Sequence, residues 1–117
     1  MKKLLIIAIF LSGCSFIAPV KHDPAQTEQY ITLKDHLEEL SCSTRKTDEK
    51  LWDTARSKAH RFTLYSQFRQ DPQLENIEGI EKGLWAAWNG SSALCENKIK
   101  LINTRMEVLE KTFRGRD

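Results

Sequence analysis

Apolar residues recur at intervals of three and four along four segments of the chain, a spacing that places them on one face of an α-helix. No segment alternates apolar and polar residues in the way a half-buried strand does, so the pattern predicts an all-α protein. The first helix is expected to start after Pro24 and to end before Ser41. Its apolar stripe consists of Tyr30, Leu33, Leu37 and Leu40.

A second helix is predicted from about Asp48, where acidic residues suit the positive end of the helix dipole. Its stripe consists of Trp52, Ala55, Ala59, Phe62 and Tyr65, widened by Leu51, Leu64 and Phe68. Asp71 and Pro72 end this helix and are predicted to start the third, with Asp71 as N-cap and Pro72 at the first helical position.

The third helix is predicted to end at Asn89-Gly90, after which Ser91 or Ser92 caps a fourth. The stripe of the third helix consists of Ile77, Ile80, Leu84, Trp85 and Trp88. The stripe of the fourth is a strict heptad seam made of Cys95, Ile99, Ile102, Met106, Leu109 and Phe113. Four amphipathic helices with short connections predict an antiparallel four-helix bundle.

Two cysteines fit this topology. Cys42 follows the first helix and Cys95 opens the fourth, and these positions lie at the same end of an up-down-up-down bundle. In an oxidising compartment such a pair normally closes into a disulfide. The alternative is two separate buried thiols.

The start of the chain has the pattern of an export signal. Lys2 and Lys3 precede an apolar run over residues 4–11, which is far shorter than the roughly 20 residues that span a bilayer. Leu11-Ser12-Gly13-Cys14 resembles the lipobox of bacterial lipoproteins, which implies cleavage before Cys14 and its acylation. By the same resemblance, Ser15 after the cysteine implies transport to the outer membrane. The alternative is ordinary secretory cleavage, for which Phe16-Ile17-Ala18 is a poor site.

These features predict a removed signal peptide over residues 1–13, a lipidated tether over residues 14–24 and a helical domain over residues 25–114. Removing residues 1–13 from the 117-residue chain leaves 104 residues and takes away Lys2 and Lys3. The 16 remaining Lys and Arg residues then balance 16 Asp and Glu residues. A neutral domain lacks the clustered basic face that nucleic-acid binding requires, so no nucleic-acid partner is expected.

No catalytic or metal-binding pattern emerges from the chain. His22, His36 and His60 are scattered, without the spacing of metal ligands, and are interpreted as surface residues. No nucleophile motif, phosphate-binding loop or free reactive cysteine is present. We therefore expect no enzymatic activity, no cofactor and no small-molecule substrate.

The third helix is the best candidate for a partner-binding surface, because its apolar arc is very wide. Gly79 and Gly83 lie four residues apart, which indicates either a smooth groove for a partner helix or close internal packing against Ala55 and Ala59. One Trp ring of this helix is expected at the surface, where aromatic residues commonly bind partners. The predicted groove residues are Leu64, Phe68, Ile80, Leu84, Trp85 and Trp88.

The layout of a short tether, a helix ending at Cys42 and a last helix opening at Cys95 resembles the helical secretin pilotins of type II secretion systems, the PulS/OutS type. This resemblance implies that the domain binds an amphipathic helix of a secretin subunit in an apolar groove, and that the lipid carries the complex to the outer membrane. One alternative is an accessory or exclusion lipoprotein of a conjugation or secretion apparatus. Another is a periplasmic inhibitor or immunity protein, for which Arg45-Lys46 is the candidate protrusion.

Overall fold

The computed structural model describes residues 20–116, which form four α-helices and no strand. The predicted signal peptide, Cys14 and the first part of the tether lie outside the described residues. The prediction of an all-α domain is confirmed. The helices are α1 (Pro24–Glu38), α2 (Glu49–Phe68), α3 (Leu74–Asn89) and α4 (Ser92–Arg114), with a short 3-10 turn at Cys42–Thr44.

Side chains cap α1 and α4 at their N-termini. The Asp23 carboxylate accepts hydrogen bonds from the backbone N–H groups of Ala25 (2.9 Å) and Gln26 (3.3 Å), and Pro24 occupies the first helical position. The Ser91 hydroxyl accepts from the Leu94 N–H at 3.2 Å, as the sequence predicts for one of the two serines.

The start of α3 differs from the prediction. The helix begins at Leu74, and Asp71 and Pro72 belong to the preceding turn, where Gln70 has a φ of 54°. The Asp71 carboxylate still accepts from the Gln73 N–H at 2.8 Å, but it is buried and bonded to the side chains of Gln26 on α1 and Arg116 after α4. Because these bonds hold Asp71 inside the domain, residues 71–73 form a turn and the helix starts later.

Consecutive helices pack against one another, α1 on α2, α2 on α3 and α3 on α4. Trp52 and Phe62 of α2 are completely buried at the centre of the core, which confirms the prediction for Trp52. Tyr65, predicted on the same stripe, is only partly buried, because its hydroxyl turns to the Asp23 carboxylate. The apolar core contains Tyr30, Leu33, Leu37, Trp52, Ala55, Ala59, Phe62, Ile77, Ile80, Leu84, Ala87, Cys95, Ile102, Met106, Leu109 and Phe113.

Gly79 and Gly83 serve internal packing, but their neighbour is α4 and not α2. A Cβ atom at Gly79 would lie 2.5 Å from Cζ of Arg105, and one at Gly83 would lie 3.0 Å from Cγ1 of Ile102. The predicted match with Ala55 and Ala59 is therefore wrong, and the two glycines let α4 side chains approach the α3 backbone.

The predicted disulfide between Cys42 and Cys95 is present and joins the 3-10 turn after α1 to the first turn of α4, with Cα atoms 5.9 Å apart. Arg45 supports the same end of the domain. Its Nη1 donates to the backbone carbonyls of Ala87 (2.6 Å), Trp88 (3.2 Å) and Gly90 (2.7 Å), and its Nε donates to that of Cys42 (3.0 Å). Arg45 therefore satisfies the last carbonyls of α3.

The other end of the domain is held by a polar group that we call the Asp71 cluster, made of Gln26, Ser66, Arg69, Asp71 and Arg116. The two carboxylate oxygens of Asp71 accept from Arg116 at 2.7 and 2.9 Å, and Gln26 Nε2 donates to Asp71 at 2.8 Å and to Ser66 at 3.1 Å. Arg69 Nη1 donates to Gln26 Oε1 at 3.1 Å. Gln26 lies on α1 and Ser66 on α2, whereas Asp71 lies in the turn before α3 and Arg116 just after α4. The cluster therefore brings together segments next to all four helices.

The Asp71 carboxyl is charged despite its burial. Burial alone would raise its pKa, but the hydrogen bonds from Arg116, the Gln73 N–H and Gln26 outweigh this effect and lower the pKa below its ordinary value. Beside the cluster, the hydrogen bond from Tyr65 is the main cause of the lowered pKa of Asp23. Both carboxylates therefore stabilise the fold in their ionised form.

Candidate partner-binding surfaces

The six residues predicted to line a groove do not share one open surface. Ile80 and Leu84 have no exposed surface and belong to the core. Trp88 is half-buried and packs on Trp52, with ring centroids 5.8 Å apart. Trp85 keeps 50% of its surface exposed, so the expectation that one Trp ring of α3 lies at the surface agrees with this structure.

Leu64 and Phe68 are exposed, but they lie along α2 away from Trp85. Trp85 stacks against Arg56, and Leu64 follows Arg56 by eight residues, which is about 12 Å along a helix. Phe68 is one further turn away, and 87% of its surface is exposed at the end of α2. The two α2 residues therefore do not widen a groove centred on Trp85.

A cationic side chain holds Trp85 in place. The Arg56 guanidinium lies over the Trp85 ring, 4.4 Å from its centroid, and 4.9 Å from the centroid of Trp88. Such cation–π contacts strengthen when they are partly desolvated, and only about a tenth of the Arg56 side chain is exposed. Arg56 Nη2 also bonds to Asp53, one turn earlier on α2. Sequence reasoning missed Arg56, because an arginine beside an apolar stripe is ordinarily a surface residue.

A shallow depression of about 510 Å³ adjoins this stack and completes what we call the Trp85 surface, formed by Asp53, Arg56, His60, Glu81 and Trp85. His60 Nδ1 and Glu81 Oε2 lie 2.9 Å apart and link α2 to α3. The Trp85 surface thus combines an aromatic ring stacked on Arg56 with charged side chains of both signs.

A second surface, which the sequence did not predict, lies between α1 and α4. One depression of about 460 Å³ is lined by Tyr30, Ile31 and Phe113, and another of about 330 Å³ is lined by Leu37 and Met106. Both are lined by Tyr30, Lys34 and Glu110, so they adjoin at these residues, and we call the two depressions together the α1–α4 groove.

The α1–α4 groove reaches the core. Tyr30, Leu37, Met106 and Phe113 are 4–7% exposed, whereas the other apolar core side chains of residues 20–116 are at most 1% exposed. Ile31, at the rim, is 54% exposed. The stripe of α1 is narrow and packs on α2, so it leaves the seam towards α4 partly uncovered.

Tyr30 crosses the floor of the groove. Its hydroxyl donates to the Met106 carbonyl at 3.2 Å, and its ring meets Phe113 edge to face at 5.9 Å. Burial, followed by the charge of Glu110, raises the pKa of Tyr30, so the hydroxyl stays protonated as a donor. The Tyr30 side chain, which is 7% exposed, is therefore fixed in position at the floor of the groove.

Within residues 20–116, no three His, Cys, Asp or Glu side chains lie close enough together to hold a metal ion. No helix in the described part of the chain has both the length and the apolar character needed to cross a membrane. Comparison of the chain with protein-family models, with curated proteins and with solved structures found no match.

Proposed function

We propose that this chain is an outer-membrane lipoprotein, anchored through acyl chains on Cys14, that binds an envelope partner and helps to localise or assemble it. By resemblance to the helical pilotins, the proposed partner is a subunit of a secretion channel. The observation that carries the proposal is Trp85, half exposed and held by the Arg56 guanidinium at 4.4 Å. A large aromatic ring fixed in the free protein loses little entropy on binding, and Trp is frequent among residues that dominate interfaces.

We further propose that the four helices run alternately up and down as an antiparallel four-helix bundle. Two sets of contacts support this topology. His22 N–H donates to the Arg116 carbonyl at 3.1 Å, which brings the start of α1 to the end of α4. At the other end, the disulfide and Arg45 bring the end of α1 together with the end of α3 and the start of α4. In this topology the Trp85 surface and the α1–α4 groove lie on opposite sides.

The membrane anchor is tested by Cys14→Ser. Loss of the acyl chains should release the protein from membranes, because the three chains usual in bacterial lipoproteins make attachment effectively permanent, whereas one chain binds only marginally. The measurement is the distribution of the protein between soluble and outer-membrane fractions. Sedimentation of the variant with the outer membrane would contradict anchoring through Cys14.

Partner binding is tested by cross-linking the intact lipoprotein in membranes and identifying what it captures. Trp85→Ala should weaken capture by about 30-fold, the effect of losing a dominant interface residue of about 2 kcal/mol. Leu101→Ala is the matched control, because Leu101 is equally half exposed but lies on α4. Trp88 is unsuitable for this purpose, since its ring packs on Trp52 in the core.

The captured protein separates the alternatives. A multimeric channel subunit, lost in Trp85→Ala and retained in Leu101→Ala, is the expected result. A conjugation protein would favour an accessory or exclusion lipoprotein, and a soluble enzyme would favour an inhibitor. The structure lends the inhibitor hypothesis little support, because Arg45 of the candidate protrusion bonds to four backbone carbonyls of its own domain.

A further inference from the structure

We propose that an exposed face of α4 lies against an anionic phospholipid surface and fixes the orientation of the domain on the membrane. This face, which we call the α4 outer face, is separate from the Trp85 surface and from the α1–α4 groove. The inference rests on the proposed function for the anchor at Cys14. It adds a second contact with the membrane, made by the folded domain itself.

The α4 outer face consists of three neighbouring rows of side chains, because its residues recur at intervals of three and four along the helix. Its apolar residues are spaced by seven, and Leu94, Leu101 and Val108 are 41%, 50% and 45% exposed. The other six positions are Asn97, Lys98, Thr104, Arg105, Lys111 and Thr112, of which three are basic and none is acidic. An exposed apolar stripe bordered by basic residues is the pattern of helices that lie in a membrane interface.

The acidic residues of α4 lie on its other side, towards α1. Glu107 and Glu110 line the α1–α4 groove. Glu96 precedes Asn103, another groove residue, by seven positions and therefore lies in the same row of the helix. The acidic residues of α4 are thus kept away from its exposed apolar stripe.

One acidic residue of α3 approaches the α4 outer face. Glu75 and Arg105 line the same shallow depression, where Arg105 Nη1 donates to Asn76 Oδ1 at 3.0 Å. The two lysines of the face lie about two turns from Arg105, one on either side. Within residues 20–116, neither Lys98 nor Lys111 forms a salt bridge, so both charges are available to an anionic surface.

These charges favour a lipid surface over a second copy of the chain. Pairing two copies through the α4 outer face would bring together the basic side chains of both, and like charges repel one another. An anionic bilayer instead attracts each lysine or arginine that lies near it. The apolar stripe between these residues can then contact the boundary of the acyl chains.

The point where the chain enters the domain places this face near the anchor. The His22 N–H donates to the Arg116 carbonyl at 3.1 Å, so the chain enters beside the C-terminal end of α4. His22 follows Cys14 by eight positions, and eight fully extended residues span at most about 28 Å. Acyl chains on Cys14 therefore keep the end of α4 close to the bilayer, and this proximity makes a weak surface contact an intramolecular one.

The test measures binding by the folded domain without acyl chains. The chain from residue 14 onward, carrying Cys14→Ser, is sedimented with vesicles of phosphatidylcholine, or of phosphatidylcholine and phosphatidylglycerol in equal amounts. We expect binding to the anionic vesicles to be about 30-fold tighter than to the neutral ones, because basic residues are attracted to an anionic surface. High salt should remove most of this difference.

Paired variants locate the contact on the α4 outer face. Leu94→Gln with Leu101→Gln should weaken binding to the anionic vesicles about tenfold, because it removes apolar surface from the stripe. Lys98→Gln with Lys111→Gln should also weaken it about tenfold, because two charges beside the stripe are lost.

Matched controls lie on other helices. Ile31→Gln removes an apolar side chain that is 54% exposed on α1, and Lys34→Gln with Lys50→Gln removes two positive charges from α1 and α2. Both should change binding less than about threefold. In the acylated protein the lipid chains hold the domain on the membrane, so Leu101→Ala remains a control for capture through the Trp85 surface.

Equal binding to neutral and anionic vesicles, absence of binding to the anionic ones, or equal losses in the paired variants and their controls would overturn the proposal. So would a concentration-dependent dimer that Leu94→Gln with Leu101→Gln abolishes, since a second copy would then cover the α4 outer face. The anchor fails separately if Cys14→Ser stays with the outer membrane after a salt wash that releases the domain from vesicles. If the vesicle results are as expected while cross-linking captures no channel subunit, the proposed partner fails and the lipid contact stands.

Discussion

The two ends of the domain hold the helices together in different ways. At one end, the disulfide between Cys42 and Cys95 joins α1 to α4 through a covalent bond, and Arg45 caps α3. At the other end, the Asp71 cluster joins the same helices through buried hydrogen bonds and ion pairs. A disulfide stabilises mainly by restricting the unfolded chain, whereas a polar cluster contributes only when its native geometry is complete.

This difference determines which end of the domain fixes the alignment of the helices. The disulfide limits how far Cys42 and Cys95 can separate, but it does not decide how the far ends of the helices align. Both carboxylate oxygens of Asp71 pair with Arg116. A shift of α4 relative to the turn that holds Asp71 would leave a buried charge without its partner. We therefore expect the disulfide to set most of the stability and the Asp71 cluster to set the register.

Removing the disulfide should have the largest effect. For a separation of 53 residues, the chain-entropy relation gives a loss of about 4 kcal/mol in the free energy of unfolding for Cys42→Ala with Cys95→Ala. Urea denaturation followed by circular dichroism measures this change. The wild-type protein in reductant is the matched comparison, and equal stability of oxidised and reduced protein would refute the prediction.

Breaking the Asp71 cluster should cost nearly as much. Asp71→Asn keeps the shape of the side chain but leaves Arg116, whose side chain is 8% exposed, without a full counter-charge, so we expect a loss of about 3 kcal/mol. Glu110→Gln is the control, because the surface pair of Glu110 and Arg114 should contribute less than about 1 kcal/mol. A double-mutant cycle with Arg116→Gln should show strong coupling, and additive effects would argue against the cluster.

The same carboxylate makes the stability depend on pH. The pKa of Asp71 is lowered in the folded state, so its stabilising contribution is complete above the ordinary aspartate value of about 4 and is lost as the pH falls through the folded value. Asp23 acts in the same direction. Denaturation at pH 7 and pH 3 should therefore show a smaller loss for Asp71→Asn than for the wild-type protein.

Removing the Arg45 cap should have the smallest effect of the three changes. Arg45→Met preserves the aliphatic stem but leaves the carbonyls of Ala87, Trp88 and Gly90 without their charged donor, at an expected cost of about 2 kcal/mol. Lys46→Met is the control at the neighbouring exposed position, where a change below about 0.5 kcal/mol is expected. A similar loss in both variants would show that the cap contributes nothing specific.

The two ends also differ in how far the sequence predicts them. Cysteine chemistry and helix periodicity together identify the pair Cys42 and Cys95, because both signals are local and specific. In the Asp71 cluster, Gln26 and Arg116 each lie 45 positions from Asp71 along the chain. Polar residues at such separations leave no periodic signal in the sequence. Asp71 before Pro72 is typical of a helix start, and this local pattern concealed its buried role.

The candidate partner-binding surfaces are also predicted only in part from the sequence. The width of the α3 stripe correctly indicates that one Trp ring reaches the surface, since a single helix cannot bury its whole circumference. It does not decide which residues lie inside, and Ile80 and Leu84 are in the core. The α1–α4 groove exists because the narrow apolar stripe of α1 covers only part of α4. This coverage depends on how the two helices pack together, and the pattern of either helix alone does not show it.

The start of α1 has a mechanical consequence. Asp23 Oδ2 accepts from the Tyr65 hydroxyl at 2.6 Å and lies 2.8 Å from Arg69 Nη1, while Arg69 Nη2 donates to the Lys21 carbonyl at 3.2 Å. Tension applied through the residues before Val20 is borne by these bonds to the C-terminal end of α2 together with the hydrogen bond from the His22 N–H to the Arg116 carbonyl. Pulling on the chain therefore loads the bonds of Lys21, His22 and Asp23 before it loads the contacts of α1 with the core.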